Sequence, residues 1–279
     1  GTINIKLHAS VTETASAVLN ASGTGAASYN SVTLFPTSSD LTVWGALASP
    51  LIQLNGADNV TIDGRVNQQG ATNLTILNSS TSASARTIEL INSAQANYIQ
   101  YCTIRGAGTS LAFGTITIGA STIGSGNNGN YIQFNHLTSV DATSRPSNLV
   151  FIQGVSAFVN NQNFIRNNNF FNFLRPNAES YGILAGTNTS ELAITDNSFY
   201  QTTNFIPTAS ASHGAIRIDN ALATGMTITG NFIGGNAALA AGVWTKTNAF
   251  NNEFAAIHFN AGATNNSIQN NVIDNFSYA

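Results

Sequence analysis

The sequence predicts an all-β fold, a single-stranded parallel β-helix in which each turn of the chain stacks on the previous one. Two observations predict it: a line of sequence that repeats, and a second strand pattern that recurs with the same period. We expect about seven or eight turns of ~33 residues, because a fixed period of roughly 20–50 residues marks one structural unit per repeat. Residues 1–28 lack the repeated line and are expected to form an N-terminal strand and cap-like segment, continuous with a β-helix at 29–279.

The repeated line is Ile-x-x-Asn-x followed by a large apolar residue. Its copies begin at Ile132, Ile165, Ile194, Ile228 and Ile268, and an earlier copy at Ile99 has Cys in place of Asn. From Ile99 onward the copies are separated by 33, 33, 29, 34 and 40 residues. Corresponding residues of parallel strands form columns about 4.8 Å apart. Stacked amides can bond one another and the turn backbone. The sequence therefore predicts a structural ladder of Cys102, Asn135, Asn168, Asn197, Asn231 and Asn271.

The second strand pattern places an apolar residue at a similar period. It occurs at Ile88, Ile116, Val150, Ile183, Ile216 and Ile257, each within an alternating segment. Every turn returns in the same order, so the strands must be parallel and the rest of the turn is their crossover. Long connections at 119–129, 138–147, 201–213 and 234–253 separate the strands. Such insertions often project from the binding face of a solenoid.

The composition narrows the functional classes. The net charge is -3 and charged residues are only 8%, against roughly 25% in an average domain. The basic residues are scattered, which argues against a nucleic-acid partner. The sequence contains no run of ~20 apolar residues, so we do not expect membrane insertion. The single Cys102 excludes an internal disulfide and a multi-Cys metal site, and we expect neither metal nor cofactor. Abundant Asn, Ser and Thr with few Lys favour an extracellular or cell-surface location.

Two segments carry a family resemblance. Residues 54–64, LNGADNVTIDG, and the recurring Asn-x-Ile-x-x-Asn line resemble right-handed parallel β-helix domains of the pectate-lyase-like kind. Residues 241–250, AGVWTKTNAF, resemble β-helix regions in large secreted or surface proteins of Bacteroidota. The resemblance covers 29–279 and implies a right-handed coil. It selects no activity, since this fold serves lyases, hydrolases, adhesins and inert stalks.

An enzyme of this fold would be a polysaccharide lyase or a glycoside hydrolase. The hydrolase resemblance would make Asp196, His213, Arg217 and Asp219 the catalytic candidates. However, Asp219 stands where the hydrolase motif has Lys, and glycoside hydrolysis needs two carboxyl groups about 5–9.5 Å apart. Asp196 and Asp219 fall on different strand types and read more simply as a turn residue and an exposed strand end. We therefore expect a protein that is not an enzyme.

Two non-catalytic functions remain. The first is an extracellular structural or adhesin-type module, a rigid spacer or a self-assembling surface subunit. Its partners would be flanking domains of a longer chain or another copy, since residues 275–279 follow a repeat strand with no polar cap. The second is glycan binding, for which Trp244 and Lys246 in a long connection are the candidate ligand residues. Aromatic rings beside amides and hydroxyls can stack on sugars and hydrogen-bond them.

Overall fold

The expected all-β parallel solenoid is confirmed by a computed structural model, which describes residues 1–248 and 250–278. Each turn contributes one strand to each of three parallel sheets, in the order A, B, C. The eight strands of sheet C mark eight complete turns, and sheets A and B each carry a ninth strand. The helical content of the described residues is one short 3-10 segment, Val66–Gln68.

The strands of the three sheets have the following bounds. Sheet A contains β1 (Thr2–Leu7), β4 (Ser31–Pro36), β7 (Val60–Asp63), β10 (Tyr98–Gln100), β13 (Tyr131–Gln133), β16 (Phe164–Arg166), β19 (Ala193–Thr195), β22 (Thr227–Thr229) and β26 (Ser267–Gln269). Sheet B contains β2 (Val11–Thr12), β5 (Leu41–Gly45), β8 (Leu74–Asn78), β11 (Cys102–Gly106), β14 (His136–Ser139), β17 (Asn169–Phe171), β20 (Ser198–Tyr200), β23 (Phe232–Ile233) and β27 (Val272–Ile273). Sheet C contains β3 (Ala17–Asn20), β6 (Pro50–Asn55), β9 (Arg86–Ile91), β12 (Ile116–Ile118), β15 (Asn148–Ile152), β18 (Ser180–Ala185), β21 (Ser212–Asn220) and β25 (Glu253–Ala261).

The repeat found in the sequence is the strand register. The first residues of successive repeated lines pair directly across sheet A, as Ile99 does with Ile132 and Ile132 with Ile165. Residues 1–28, which lack the line, supply β1, β2 and β3, the first strand of each sheet. This segment therefore forms the first turn of the stack.

The interior is filled by columns of apolar side chains, one column per sheet position. In sheet B the inward column is aliphatic at first, aromatic in two successive turns, and aliphatic again in the next. Its residues are Val43, Ile76, Ile104, Leu137, Phe170, Phe199 and Ile233. All seven are buried. Burial of such side chains contributes roughly 1.5–3 kcal/mol each, so these columns supply the main stabilisation of the stack.

Most of the long connections leave the solenoid at one place. Residues 140–147, 172–179, 201–211 and 234–252 all lie between a sheet B strand and the next sheet C strand, whereas 119–130 joins sheet C to sheet A. In the last turns these connections pair with one another. β24 (Trp244–Lys246) pairs in parallel with β28 (Phe276–Tyr278), and Phe205 bridges to Lys246. They form a short fourth ladder that widens the C-terminal part of the molecule.

The first and last strands have a neighbour on one side only. Ile5 of β1 is 42% exposed, and Ile273 of β27 is 53% exposed. At the β1 end an apolar cavity of about 340 Å³ opens between Leu7, Leu19, Val32 and Leu34. Apolar residues that are covered in every inner turn are thus accessible at both ends.

Candidate functional site

The repeated Asn residues form a continuous ladder of hydrogen bonds at the bend between sheets A and B. Asn168 Nδ2 donates to the carbonyl of Ile132 at 2.8 Å and to Oδ1 of Asn197 at 3.0 Å. Its own Oδ1 accepts from the backbone N–H of Asn135 at 2.9 Å. Asn135, Asn197 and Asn231 make the same two donor contacts one turn apart, and Asn271 donates to the carbonyl of Ile228. Because each inner amide is buried and bonded at both ends, this column holds the bends and offers nothing to a ligand.

Cys102 begins this column. Its backbone N–H donates to Asn135 Oδ1 at 2.9 Å, and its side chain is fully buried. Burial raises the pKa of the Cys102 thiol, and the nearby charge of Asp63 raises it further. A thiol of this kind is a poor nucleophile.

A second chain of stacked amides lies at the start of sheet A. Asn97 Nδ2 donates to Asn130 Oδ1 at 3.0 Å, and Asn130 Nδ2 donates to Asn163 Oδ1 at 3.1 Å. All three side chains are buried. They are the first residues of the Asn-x-Ile-x-x-Asn line, so both amides of that pattern have a structural role.

Asp196 occupies the bend itself. The residue before each ladder position has a left-handed backbone, with φ of 53° at Tyr101, 56° at Phe134, 55° at Asn167 and 57° at Asp196. Asn and Asp tolerate this conformation better than most residues, which accounts for Asp196. Asp196 thus lies in the bend between sheets A and B, whereas the other three catalytic candidates belong to β21 of sheet C.

Arg217 and Asp219 meet on the outer face of sheet C with a partner that the sequence did not indicate. The Arg217 guanidinium lies 3.1 Å from Asp219 and 3.3 Å from Glu179, and it also donates to the hydroxyl of Tyr181. A bond from Asn260 and then the Arg217 charge lower the pKa of Asp219. Both carboxylates are thus paired with one arginine, and the side chains are 29–42% exposed. This network resembles a satisfied surface ion pair more than a catalytic dyad.

His213 lies next to this network but is buried and neutral. It is 2% exposed, and its Nδ1 lies 2.9 Å from Ser180 Oγ. Ser180 Oγ also accepts from the backbone N–H of Arg175, so this hydroxyl links His213 to the connection that carries Arg175. Burial, aided by the charge of Arg175, lowers the pKa of His213 to about 4. The ring packs edge-on against Phe205, with centroids 5.2 Å apart. Nearly all of His213 is buried, but it lines a small pocket of about 120 Å³ together with Arg217, Glu253 and His258. Two of the four catalytic candidates, His213 and Arg217, therefore share one pocket.

Trp244 and Lys246 do not face a ligand surface. The Trp244 side chain is fully buried, with its ring centroid 4.9 Å from Phe254 and 5.2 Å from Phe276. Lys246 is 4% exposed and donates to the carbonyl of Asn248 at 2.9 Å. The connection that carries both residues folds back as β24 against β28. Trp244 and Lys246 are buried because pairing in this fourth ladder makes their connection part of the core.

A groove lies over the outer face of sheet B, beside the long connections. It encloses about 360 Å³ and is lined by Thr103, Arg105, Thr138, Ser139, Asp141, Ala142, Arg145, Phe171, Asn172 and Thr203. The outward column of sheet B runs Trp44, Leu77, Arg105, Thr138, Phe171 and Tyr200. Phe171 stacks on Tyr200 at 5.3 Å. On the preceding turn Phe171 pairs with Thr138 and meets His136 edge to face at 6.4 Å, and its side chain lines the groove.

Aromatic rings on the outer face of sheet A are arranged differently. Tyr98, Tyr131 and Phe164 form a continuous stack with centroids 4.6 and 4.5 Å apart. Tyr131, the inner ring, has a neighbouring ring on each face, so mainly its edge reaches the surface. The groove over sheet B is the better candidate for a binding site, because it combines an aromatic ring with several polar side chains around one concave space.

The groove also contains a tightly held turn. Asp141 Oδ1 accepts from the backbone N–H groups of Thr143 and Ser144 at 2.7 and 2.6 Å. These bonds, that from Ser144 first, lower the pKa of Asp141 to about 2. The carboxylate is thus ionised and fixes the loop that forms one wall of the groove.

Sequence reasoning missed this site for an identifiable reason. Arg105, Thr138 and Phe171 come from three turns and share only a register position. Aligning the turns from Ile99 would have placed them in one outward column. Arg145 and Asp141, however, belong to a connection whose path the repeat does not determine.

No protein-family model, curated protein or solved structure matches the chain. In residues 1–248 and 250–278 there is no helix with the length and apolar character needed to cross a bilayer. Over the same ranges, His, Cys, Asp and Glu side chains do not gather in threes as metal ligands do. The fold defines the class of protein as a parallel β-solenoid.

Proposed function

We propose that the protein is a non-catalytic, extracellular, adhesin-type module that uses its stiff solenoid to present a saccharide-binding groove. The observation that carries this proposal is the aromatic ring of Phe171 in the lining of a concave, polar groove of about 360 Å³. Sites for small ligands are concave and combine an apolar surface with a few convergent polar groups. Here the polar groups are hydroxyls, an amide, a carboxylate and two guanidinium groups.

The scaffold supports the presenting role. Each turn is joined to the next by three parallel ladders, and from Cys102 to Asn271 by the Asn column as well. Contacts of this kind repeat along the whole stack, so the groove is carried on a stiff base. The uncovered strand edges of β1 and β26 are where contact with a flanking domain or another copy of the chain would form.

The proposed extracellular location is based on the composition and on the sequence resemblance. The Asn-rich, Lys-poor surface and the segments resembling β-helix regions of secreted or surface Bacteroidota proteins support placement outside the cell. A saccharide ligand is compatible with that setting.

A non-catalytic role is supported by the distribution of carboxyl groups. Asp141 is the one acidic side chain that lines the groove among the described residues. The pair on sheet C, Glu179 and Asp219, is bound to Arg217. Glycoside hydrolysis would need an acid and a second carboxylate acting on one bond.

The test is binding of immobilised oligosaccharides by the intact chain and by two matched variants. Phe171→Ala removes the groove ring, and affinity should fall about tenfold, equivalent to ~1.4 kcal/mol. Phe164→Ala is the control, because Phe164 also ends an aromatic stack, on sheet A. Unchanged binding by Phe171→Ala, or an equal loss in the control, would refute the groove. Release of new reducing or unsaturated ends from a bound polysaccharide would refute the non-catalytic role.

A further inference from the structure

The groove over sheet B carries positive charge on a protein with net negative charge. Two arginines and one aspartate line it, which leaves one net positive charge, whereas the whole chain carries -3. The ion pairs among the described residues use Arg65, Arg86 and Arg217. Neither Arg105 nor Arg145 is paired with a carboxylate in that set. The positive charge in the groove is therefore not neutralised by a direct partner.

Arg145 is the more unusual of the two. Its side chain is nearly buried, at 8% exposed, yet every acceptor it reaches is neutral. Nε donates to the carbonyl of Ala142 at 3.0 Å. Nη1 donates to the carbonyl of Leu174 at 2.9 Å and to Gln201 Oε1 at 3.1 Å. Burying a cation without a direct carboxylate partner is costly. Burial lowers the pKa of Arg145, and the charge of nearby Asp141 opposes that shift only in part. A ligand that carries a negative charge would complete the pairing of this guanidinium.

Arg105 is held at the same groove by backbone groups. It extends from β11 and donates from Nε to the carbonyl of Ser139 at 3.2 Å, and from Nη2 to the carbonyl of Val140. Both carbonyls belong to the chain that leads into the Asp141 turn. The guanidinium is thus oriented before any ligand arrives, and preorganisation reduces the cost of binding.

Gln201 adds a donor beside Arg145. Its Oε1 is used by Arg145, while its Nε2 is buried and has no hydrogen-bond partner among the described residues. Gln201 is 1% exposed and lies behind Arg145 rather than on the groove surface. A carboxylate or sulfate oxygen is the kind of acceptor that the guanidinium groups of Arg105 and Arg145 would bind, since arginine pairs with planar carboxylates and tetrahedral oxyanions in a fixed geometry.

We propose that the groove selects an acidic saccharide, with a carboxylate or sulfate group bound by Arg105 and Arg145 and a sugar ring resting on Phe171. This inference depends on the proposed saccharide-binding function and specifies the class of its ligand. Asp141, whose Oδ1 is committed to its own turn, faces the neutral part of the sugar, where it can accept a bond from a hydroxyl.

The experiment compares three probes by calorimetry or surface plasmon resonance. They are a uronic-acid oligomer with free carboxylates, the same oligomer as its methyl ester, and a sulfated galactose oligomer. We expect the charged probes to bind at least about tenfold more tightly than the ester. We also expect this advantage to shrink as salt rises from about 0.05 to 0.5 M, because charge pairing is screened. The ratio between the carboxylate and sulfate probes identifies which oxyanion the site prefers.

Two variants make the assignment specific. Arg105→Gln keeps an amide at the position of Nε but removes the charge and the terminal nitrogens, so it should weaken binding of the charged probes about tenfold more than binding of the ester. Arg145→Gln should do the same, provided that its thermal unfolding stays close to that of the wild type. Arg166→Gln is the control, because Arg166 lies on sheet A and also bonds a neutral glutamine, at 2.9 Å.

The outcomes separate the two proposals. Equal binding of the ester and the charged probes would overturn acidic selectivity and leave the saccharide-binding function intact. No binding of any probe would count against both. An acidic preference that survives Arg105→Gln but disappears in Arg166→Gln would overturn the assignment to this groove.

Discussion

The N-terminal turns (residues 1–152) and the C-terminal turns (153–248 and 250–278) share one backbone pattern but bury different side chains. In the inward column of sheet B, Ile76 and Ile104 are followed in later turns by Phe170 and Phe199. The C-terminal turns also bury Trp244 and Phe173, whose rings meet edge to face at 6.1 Å. The strand register continues unchanged through the transition. The period is thus maintained by backbone and Asn ladders, while the side chains decide how wide each turn becomes.

The widening has a structural cause. The connections after sheet B lengthen in the last turns and pair as β24 and β28. They create a second apolar space, which large rings fill because interiors tolerate few voids. The groove lies where the two regions join, with Arg105 on the N-terminal side and Phe171 on the C-terminal side.

The largest expected effect tests the aromatic half of the comparison. Phe199→Ala removes a fully buried ring that stacks on Phe170 at 4.6 Å. We expect the free energy of unfolding to fall by about 4 kcal/mol, against about 3 kcal/mol for Ile104→Ala in the same column. Urea denaturation followed by tryptophan fluorescence measures both. If Ile104→Ala were the more damaging variant, the aliphatic turns would be the more important part of the core.

The second test compares the middle and the end of the Asn ladder. Asn168→Ala leaves the carbonyl of Ile132 and the N–H of Asn135 without partners. Unpaired buried groups cost about 1–3 kcal/mol each, so we expect a loss of about 3 kcal/mol. Asn271 is only half-buried and lies in the last turn, where water can replace the lost bonds. Asn271→Ala should therefore cost less than about 1 kcal/mol, and equal losses would contradict a ladder that depends on burial.

The smallest of these effects is a pH dependence located in the C-terminal turns. The pKa of His213 is lowered to about 4 by burial, whereas an unfolded histidine titrates near 6.5. Below pH ~6.5 the unfolded chain takes up a proton that the folded chain refuses, so stability is full above that pH and declines as pH falls toward 4. At pH 5 the loss from this residue should be about 2 kcal/mol.

The control for this effect is His213→Gln, whose amide can still form a hydrogen bond with the Ser180 hydroxyl but does not titrate. Its denaturation midpoint should change less between pH 7 and about 5 than that of the wild type. His136, whose pKa burial also lowers, remains in both proteins and cancels in the comparison. An equal pH dependence in the two proteins would show that His213 is already charged when folded.

The parts of the site that could be predicted differ from those that could not. Asn135 and Asn168 were identifiable because a column in a parallel stack is a matter of counting along a period. Trp244 was expected as a ligand residue because its segment lacks the repeat pattern, yet it is fully buried. Glu179 was not identified as a partner of Arg217 because it lies 38 residues away in a connection. Contacts made by connections depend on loop paths, for which a repeat supplies no template.

The sequence by itself determined the all-β fold, the parallel register and the buried Asn column. The reason is that, with a fixed period, only a parallel stack of turns buries every apolar column and hydrogen-bonds every amide column. The tertiary structure decided which connections become ladder and which form a wall. It buried Trp244 under β28 and left Arg145 nearly buried with only neutral hydrogen-bond acceptors. Those outcomes depend on how connections of unequal length pack together. The connections lack the periodic pattern, so their local sequence does not determine which segment each one contacts.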